Sequence, residues 1–329
     1  MLKVLEEFRG RLDAVMHKCM DRRIVLYGYG YSGKFVGWYA QYYHSIKPDY
    51  IITQDMTSNI PYEFELYRES LFEFGYKDVK DAVVWLCVPE TQEIRERLER
   101  YGYVKNETYF DFCEITYEGT KAEGNGANVQ FLRWLEELYG CDFVQSIQKS
   151  QFTQKLEGTL SFVGMTPKEL YPLLDKCHIC LNAGDAIFDF GCGKGGAMLS
   201  FLDYGFCKVG GVEYQKNIYD IMVQNFRKLE LEDVMQSGKI NGIHGDASKL
   251  GQELDGYNWF YFFEPFRGSL FEHTMERICE SLERNPRRAH LIYINPGCHE
   301  MIEQTGKFQL TNQFTIMTRQ RVVHVYVTK

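Results

Sequence analysis

One segment of the sequence constrains the fold more than any other: AIFDFGCGKGGAMLSFLDYGFCKVGGVEY, residues 186–214. Its pattern predicts a strand over 186–190, a turn with Gly191, Gly193 and Gly195, a helix, and a strand over 208–212 that ends in Glu213. Strands that alternate with helices in this way predict a parallel sheet. The glycines let the backbone approach a ligand closely, and Glu213, 18 residues after Gly195, is placed to accept from two ribose hydroxyls. The segment therefore predicts a site for an adenosine-bearing ligand.

The pattern D-x-G-x-G-x-G, with a glutamate at the end of the next strand, resembles class I S-adenosylmethionine-dependent methyltransferases, and the resemblance covers residues 161–329. It implies S-adenosylmethionine as the cofactor and a class I methyltransferase fold in which residues 308–329 form a closing antiparallel strand pair. The cofactor-binding residues that it implies are Asp189, Gly191, Gly193 and Gly195 for the methionine end, Glu213 for the ribose with Tyr214 beside it, and Asp246 and Ala247 in GIHGDAS for the adenine.

Some of these residues have a purely structural interpretation as well. Asp189 can cap the turn that follows it, and Asp246 can cap a helix that begins near Ala247. Upstream, GMTPKELYPLL contains a capping-box start with Thr166 as the cap. The same stretch resembles the threonine–proline segment of a subset of these enzymes, among them non-SET protein-lysine methyltransferases, which implies that Thr166 lies near the cofactor carboxylate. One residue can serve both purposes.

The candidate catalytic loop is Glu264-Pro265-Phe266, which follows the predicted fourth strand. It resembles the Asn/Asp-Pro-Pro-aromatic loop of amino-group methyltransferases, which orients a nitrogen lone pair, but glutamate replaces Asn or Asp and one proline is missing. Methyl transfer needs a nucleophile held in line with the donor bond and a route for its proton. Because Glu264 can also take the proton of a hydroxyl, oxygen and nitrogen acceptors both stay open, as does an exposed loop acid without a catalytic role.

The first third of the chain contains a second glycine turn, in RIVLYGYGYSGKFVGWY, with Gly28, Gly30 and Gly33 as a candidate second nucleotide site. A triphosphatase loop needs Ser or Thr after its lysine, and Phe35 stands there instead. A dinucleotide site needs an acid at the end of the second strand; that strand ends in Thr53 and Gln54, and Asp55 follows shortly after, so the carboxylate is displaced or missing. The same turn can simply pack a helix on a strand, so the ligand of this domain stays open.

The sequence predicts an α/β protein of two Rossmann-like domains. Residues 1–117 form a small domain, 118–128 a polar, glycine-rich linker, and 129–329 the methyltransferase-like domain. VVWLCVPETQEIRERLERYGY followed by YFDF resembles, more loosely, small Rossmann-like modules fused to methyltransferases in bacterial polysaccharide and secondary-metabolite clusters. This second resemblance implies a sugar-bearing or other small substrate.

Composition excludes several classes of partner. The net charge of -8, without a long basic block, argues against nucleic acid as a partner. No apolar stretch has the length of a signal peptide or a membrane span, so we expect a cytoplasmic protein with no membrane partner and reduced cysteines. In KCHIC, Cys177 and Cys180 flank His178, but a second ligand pair at matching spacing is missing, so no metal is predicted.

Three function classes follow from these observations. The preferred class is a methyltransferase that acts on a small molecule or glycan precursor, at oxygen or nitrogen. The second is a protein-lysine methyltransferase, which would need an acidic cleft for a cationic side chain. The third is a two-domain binding or scaffold protein with an idle cofactor pocket. The identity of the acceptor and the oligomeric state are not encoded in any motif found here.

Overall fold

The computed structural model describes residues 3–53, 65–67, 81–88, 91–117, 131–152, 154, 164–165, 167–177, 179, 181–316 and 321–329. The chain forms two compact units, Met1–Gly140 and Cys141–Lys329. In the described ranges, no helix combines the length and the apolar character that a bilayer span requires.

The first unit is a parallel five-stranded sheet with helical connections. Its elements are α1 (Lys3–Cys19), β1 (Ile24–Tyr27), α2 (Tyr31–His44), β2 (Tyr50–Ile52), β3 (Glu65–Tyr67), β4 (Val83–Leu86), α3 (Gln92–Arg100), β5 (Tyr109–Asp111), α4 (Phe112–Tyr117) and α5 (Phe131–Tyr139). The strand order is β3-β2-β1-β4-β5, and all of these pairs are parallel. Every residue of β1 and β4 is buried, which is why both strands are continuous apolar runs in the sequence.

The boundary between the units differs from the predicted one, which gave residues from 129 onward to the second domain. Helix α5 belongs to the first unit. The rings of Phe131 and Trp134 pack against Phe8 of α1, with centroid distances of 5.7 and 4.8 Å. The amphipathic pattern of α5 predicts a helix, but only these contacts decide which core it covers. The predicted linker, 118–128, lies outside the described residues.

The second unit is a mixed sheet of seven strands. Its elements are α6 (Pro167–Lys176), β6 (Ala186–Phe190), α7 (Gly196–Tyr204), β7 (Lys208–Glu213), α8 (Lys216–Lys228), α9 (Glu232–Gln236), β8 (Ile240–His244), β9 (Trp259–Phe263), α10 (Ser269–Arg284), β10 (His290–Ile294), α11 (His299–Gln304), β11 (Phe308–Ile316) and β12 (Arg321–Thr328). The order is β11-β12-β10-β9-β6-β7-β8. Strands β6 to β10 are mutually parallel, and β12 pairs antiparallel with both β10 and β11. The sequence predicts a closing antiparallel pair, and β11 with β12 forms one.

In both units the first strand lies where the strand order reverses. β1 sits between β2 and β4 in the first unit, and β6 sits between β7 and β9 in the second. Open α/β sheets bind their ligands beyond the carboxyl ends of the strands at this switch point. Each unit places a glycine turn there, directly after its first strand. The sheet topology therefore makes these two turns the candidate ligand sites.

Alternate residues of the central strands of the second unit face different layers. Phe188 and Phe190 of β6 join a large apolar cluster with residues of α10. Asp189 lies between them and is in register with Tyr261 of β9, so both face the opposite layer. There the ring of Tyr261 contacts that of Phe201 in α7, with 4.9 Å between centroids. The one acid in β6 thus lies on the face away from the main apolar cluster.

Candidate functional site

The glycine turn after β6 has the backbone conformation that its sequence predicts. Gly191, Gly193 and Gly195 have φ angles of 81°, 55° and 84°. These values favour glycine because a Cβ atom would clash with the backbone. At Gly191 a Cβ would also lie 2.6 Å from Cβ of Pro265, so the turn packs directly against the loop after β9. Cofactor and catalytic candidates predicted separately from the sequence are therefore neighbours.

Glu213, at the end of β7, holds this turn from the side. Its Oε2 accepts from the backbone N–H of Gly193 at 3.1 Å, and its Oε1 accepts from that of Gln215 at 2.7 Å. Burial raises the pKa of Glu213 to about 6, while backbone N–H groups, those of Gln215 and Gly193 among them, oppose the shift. A carboxylate has about four acceptor positions, so Glu213 keeps some acceptor capacity for a ligand hydroxyl beside these backbone donors. Glu213, the residue predicted to bind the ribose, therefore lies beside the glycine turn.

Asp189 is a buried acid without a hydrogen-bond partner among the described residues. Its residue surface is 3% exposed, and no described donor reaches its carboxylate. Burial raises the pKa of Asp189 to about 8, and the negative charge of Glu213 adds to the shift. The predicted capping of the following turn is therefore not observed. A buried carboxylate without a partner costs folding free energy, which is typical of a functional position rather than a structural one.

Asp246 adopts the structural role that the sequence left open. Its Oδ1 accepts from the backbone N–H and the hydroxyl of Ser248, at 2.9 and 2.7 Å, and it caps a short 3-10 helix, Ala247–Lys249. Its other oxygen, Oδ2, lies 3.7 Å from Nζ of Lys249. Ala247 is buried in the main apolar cluster. A contact of Asp246 with adenine remains a prediction beside this observed cap.

Of the two remaining cofactor candidates, Tyr214 lies among the described residues and Thr166 does not. Tyr214 is half-buried, and its carbonyl oxygen lies 3.2 Å from Nε2 of His244 at the end of β8. Thr166 lies outside the described residues, so its predicted place near the cofactor carboxylate is untested. Helix α6 begins directly after it, at Pro167, as the capping-box pattern predicts.

Glu264, which follows the carboxyl end of the central strand β9, accepts hydrogen bonds from two side chains. Arg267 donates to its Oε1 within an ion pair, and Nδ2 of Asn295 donates to its Oε2 at 3.0 Å. The side chain of Glu264 is only 20% exposed. It is thus neither an exposed loop acid nor a free base, but a carboxylate fixed in one orientation.

Asn295 is a functional candidate that sequence reasoning missed. It follows β10 directly, as Glu264 follows the adjacent β9, and the φ angles of the two residues are 51° and 44°. Such angles cost non-glycine residues free energy and cluster at functional sites. A signal was present: YINPG repeats the strand-polar-proline pattern of YFFEPF. What the sequence does not show is that β9 and β10 are adjacent.

Phe266, the third residue of the predicted catalytic loop, lies in the core of the second unit. It is 5% exposed and belongs to the main apolar cluster, where its ring contacts those of Phe262 and Phe271. An aromatic residue packed in this way anchors the loop to the core. Pro265, packed on Gly191, similarly sets the distance between the loop and the glycine turn. Of the three predicted residues, Glu264 is the one with a titratable side chain, and it remains the candidate for a catalytic role.

Lys194, inside the glycine turn, was not singled out from the sequence. It is 1% exposed, and its Nζ donates to Oδ1 of Asp142 at 2.6 Å and to the carbonyl of Gln145 at 2.8 Å. Asn225 of α8 links the same two residues, because its Nδ2 donates hydrogen bonds to the backbone carbonyls of Asp142 and Lys194. The segment at the start of the second unit is thereby fixed to the turn.

The glycine turn of the first unit is explained largely by packing. A Cβ at Gly28 would lie 2.3 Å from Cγ1 of Val88, and one at Gly33 would lie 1.9 Å from the carbonyl oxygen of Gly28. Gly30 faces open space. Thr53, buried, occupies the strand-end position at which the second unit has Glu213. These contacts favour helix packing as the purpose of this turn.

No metal centre is found in the described residues, where no group of three or more His, Cys, Asp or Glu side chains is arranged to hold an ion. Of the KCHIC motif, Cys177 is buried at the end of α6, and burial raises the pKa of its thiol. His178 and Cys180 lie outside the described residues.

Comparison with known proteins gives limited likeness. No protein-family model matches the chain. No curated protein matches it either. Similar solved structures include a protein of the NADB-Rossmann superfamily from Streptococcus agalactiae (13% identity, TM-score 0.38, 47% of this chain and 67% of that one). Others are a putative methylase from Haemophilus influenzae (16%, 0.37, 49% and 94%) and P. horikoshii TYW2 in complex with MeSAdo (16%, 0.37, 50% and 64%). At these identities and TM-scores the likenesses carry no argument about activity.

Proposed function

We propose that the chain is an S-adenosylmethionine-dependent methyltransferase of the class I fold that acts on a small-molecule or glycan-precursor acceptor. The observation that carries the proposal is the pair of buried acids, Asp189 and Glu213, around a glycine turn at the switch point of the sheet. Asp189 has no partner among the described residues, so a cationic ligand group would relieve its burial cost. An adenosine ligand with an ammonium group supplies both hydroxyls for Glu213 and a cation for Asp189.

The chain's own residues divide the binding task. Glu213 accepts from the ribose hydroxyls with the acceptor capacity that its backbone donors leave. Asp189 pairs with the ammonium of the methionine end. The backbone at Gly191 and Gly193 comes close to the ligand because neither residue has a side chain. When bound, S-adenosylmethionine supplies an electrophilic methyl group.

Glu264 and Asn295 form the acceptor side of the site. They follow two adjacent strands, and Pro265 packs the Glu264 loop against the glycine turn. Asn295 and Arg267 fix the carboxylate, so Glu264 can accept a hydrogen bond from, or the proton of, an acceptor hydroxyl or amine without reorienting. Catalysis then consists mainly of positioning.

The charge around Glu264 favours the small-molecule alternative over a protein-lysine substrate. A cleft for a lysine side chain needs acids whose charge is available to the cation. Here Arg267 already pairs with Glu264, so the negative charge of the candidate catalytic acid is partly balanced. This pairing supports a neutral or weakly charged acceptor, such as a sugar hydroxyl.

Calorimetry of the full chain with S-adenosylmethionine and S-adenosylhomocysteine tests the proposal. We expect both to bind at micromolar concentration, and ATP, NAD and NADP not to bind. A mass spectrum of the purified protein should show a co-purifying adenosine ligand if binding is tight. Absence of binding by either compound would contradict the methyltransferase assignment and leave the idle-pocket scaffold. With binding established, nucleotide sugars and small amines are the first acceptors to screen, by formation of S-adenosylhomocysteine.

A further inference from the structure

The environment of Asp189 disfavours a negative charge while the site is without ligand. The residue is 3% exposed, no described donor bonds to its carboxylate, and a second buried acid, Glu213, ends the neighbouring strand. Building on the proposed function, we propose that Asp189 holds a proton in the ligand-free protein and releases it when the cationic amino-acid end of the cofactor binds.

Among the described residues, the titratable groups around Asp189 are mainly acids or neutral groups. They are Glu213 on β7, Cys192 in the glycine turn and Tyr261 on β9, and the pKa of each is raised, chiefly by burial. Glu169 of α6 and Arg321 of β12 act on Tyr261 from the neighbouring elements. The nearby cations contact other groups: Nζ of Lys194 donates to Asp142, and the guanidinium of Arg321 lies over the ring of Phe263 at 4.4 Å. A ligand ammonium would therefore supply a cation that no described contact gives to Asp189.

The proton balance follows from these contacts. With burial raising the pKa of Asp189 to about 8, about nine in ten molecules hold the proton at pH 7. On binding, the carboxyl O–H bond breaks, the proton passes to the buffer, and the carboxylate left behind accepts from the ammonium. Binding at pH 7 should thus release close to one proton, and affinity should rise about eightfold between pH 6.5 and 7.5.

Isothermal titration calorimetry at pH 7 in phosphate and in Tris tests this inference, because the two buffers differ in their heat of protonation. The probes are S-adenosylhomocysteine, which carries the ammonium, and 5′-methylthioadenosine, which has the adenosine but lacks the amino-acid end. We expect a buffer-dependent enthalpy equivalent to about 0.9 proton for the first probe and none for the second. In Asp189→Asn, S-adenosylhomocysteine should still bind, more weakly, with the same enthalpy in both buffers.

The outcomes separate this inference from the proposed function. If S-adenosylhomocysteine binds with equal enthalpy in both buffers, Asp189 does not release a proton and the inference fails alone. If Asp189→Asn still releases a proton, the source is Glu213 or another group, and the inference again fails. If neither probe binds the wild-type protein, the proposed function fails and the inference falls with it.

Discussion

Replacing Asp189 with asparagine should stabilise the ligand-free protein, by an amount that depends on pH. Asn has nearly the same shape and cannot ionise, so the variant removes the cost of keeping Asp189 protonated in the folded state at a pH where the unfolded chain ionises it. Asp189 is 3% exposed and has no described hydrogen-bond donor to offset that cost. A site built for a cation is expected to reduce stability in this way when it is empty.

The sign and size follow from proton linkage. Burial raises the pKa of Asp189 from 3.8 to about 8. The folded state therefore keeps a proton that the unfolded state loses, and the free energy of unfolding falls as pH rises through this window, levelling off above pH 8. Each pKa unit is worth about 1.4 kcal/mol. The advantage of Asp189→Asn should therefore grow by about 3 to 4 kcal/mol between pH 5 and pH 8.

Urea unfolding followed by pulse proteolysis measures this difference in the intact chain. Fragments of Cys141–Lys329 identified by mass spectrometry report on the second unit, since the two units need not unfold together. The matched control is Asp233→Asn, which removes an exposed acid of α9 and should change the free energy of unfolding by less than about 0.5 kcal/mol at either pH. An equal advantage of Asp189→Asn at pH 5 and pH 8 would refute the reasoning, because it would mean that Asp189 does not titrate in this range.

The remaining predictions concern the ligand, the acceptor side and the first unit. Glu213→Ala should weaken binding of S-adenosylhomocysteine in calorimetry by about ten- to a hundredfold, because a charge-assisted acceptor is lost. The control variant Glu272→Ala, which removes an exposed acid of α10, should leave the affinity unchanged. Equal affinities of the two variants would show that Glu213 does not contact the ligand. Once an acceptor is found, Glu264→Gln should lower turnover by about 10² to 10⁴ if the carboxylate takes the proton, with cofactor affinity unchanged, whereas normal turnover in both Gln and Ala variants would make it a structural acid. Asn295→Ala should lower turnover in the same assay because Glu264 loses one of its two hydrogen-bond donors. A loss of cofactor affinity instead would show that Asn295 belongs to the cofactor site and not to the acceptor side. NAD or NADP should leave the thermal midpoint of the full chain unchanged, and an increase by mass action would show that the turn at Gly30 binds a dinucleotide.

Local features of the fold were predictable because they depend on short-range physics. The apolar runs at 24–27 and 186–190 correspond to β1 and β6 with the same bounds. The glycines at 191, 193 and 195 occupy left-handed conformations that other residues adopt at a cost. A pattern of strand, glycine turn and helix leaves few alternatives, so the sequence alone was enough to predict the α/β class and the main cofactor candidates.

Other conclusions required contacts between residues far apart in the sequence. The placement of α5 with the first unit depends on the ring contacts of Phe131 and Trp134 with Phe8, which no local pattern encodes. Phe266 proved to be a core residue because Phe262 and Phe271 enclose it. Both cases are choices among equally apolar surfaces, and burial alone does not specify the partner.

For the candidate site, the sequence by itself determined which residue types stand at or near the strand ends: Asp189, Glu213 and Glu264 were predicted from those positions, and Asn295 follows its strand in the same way although it was missed. Only the tertiary structure decided what each of them does. The adjacency of β9 and β10 joins Asn295 to Glu264, and the packing around β6 leaves Asp189 buried without a described partner. The physical reason is that the charge state and orientation of a side chain depend on its dielectric surroundings and hydrogen-bond partners, which long-range packing supplies.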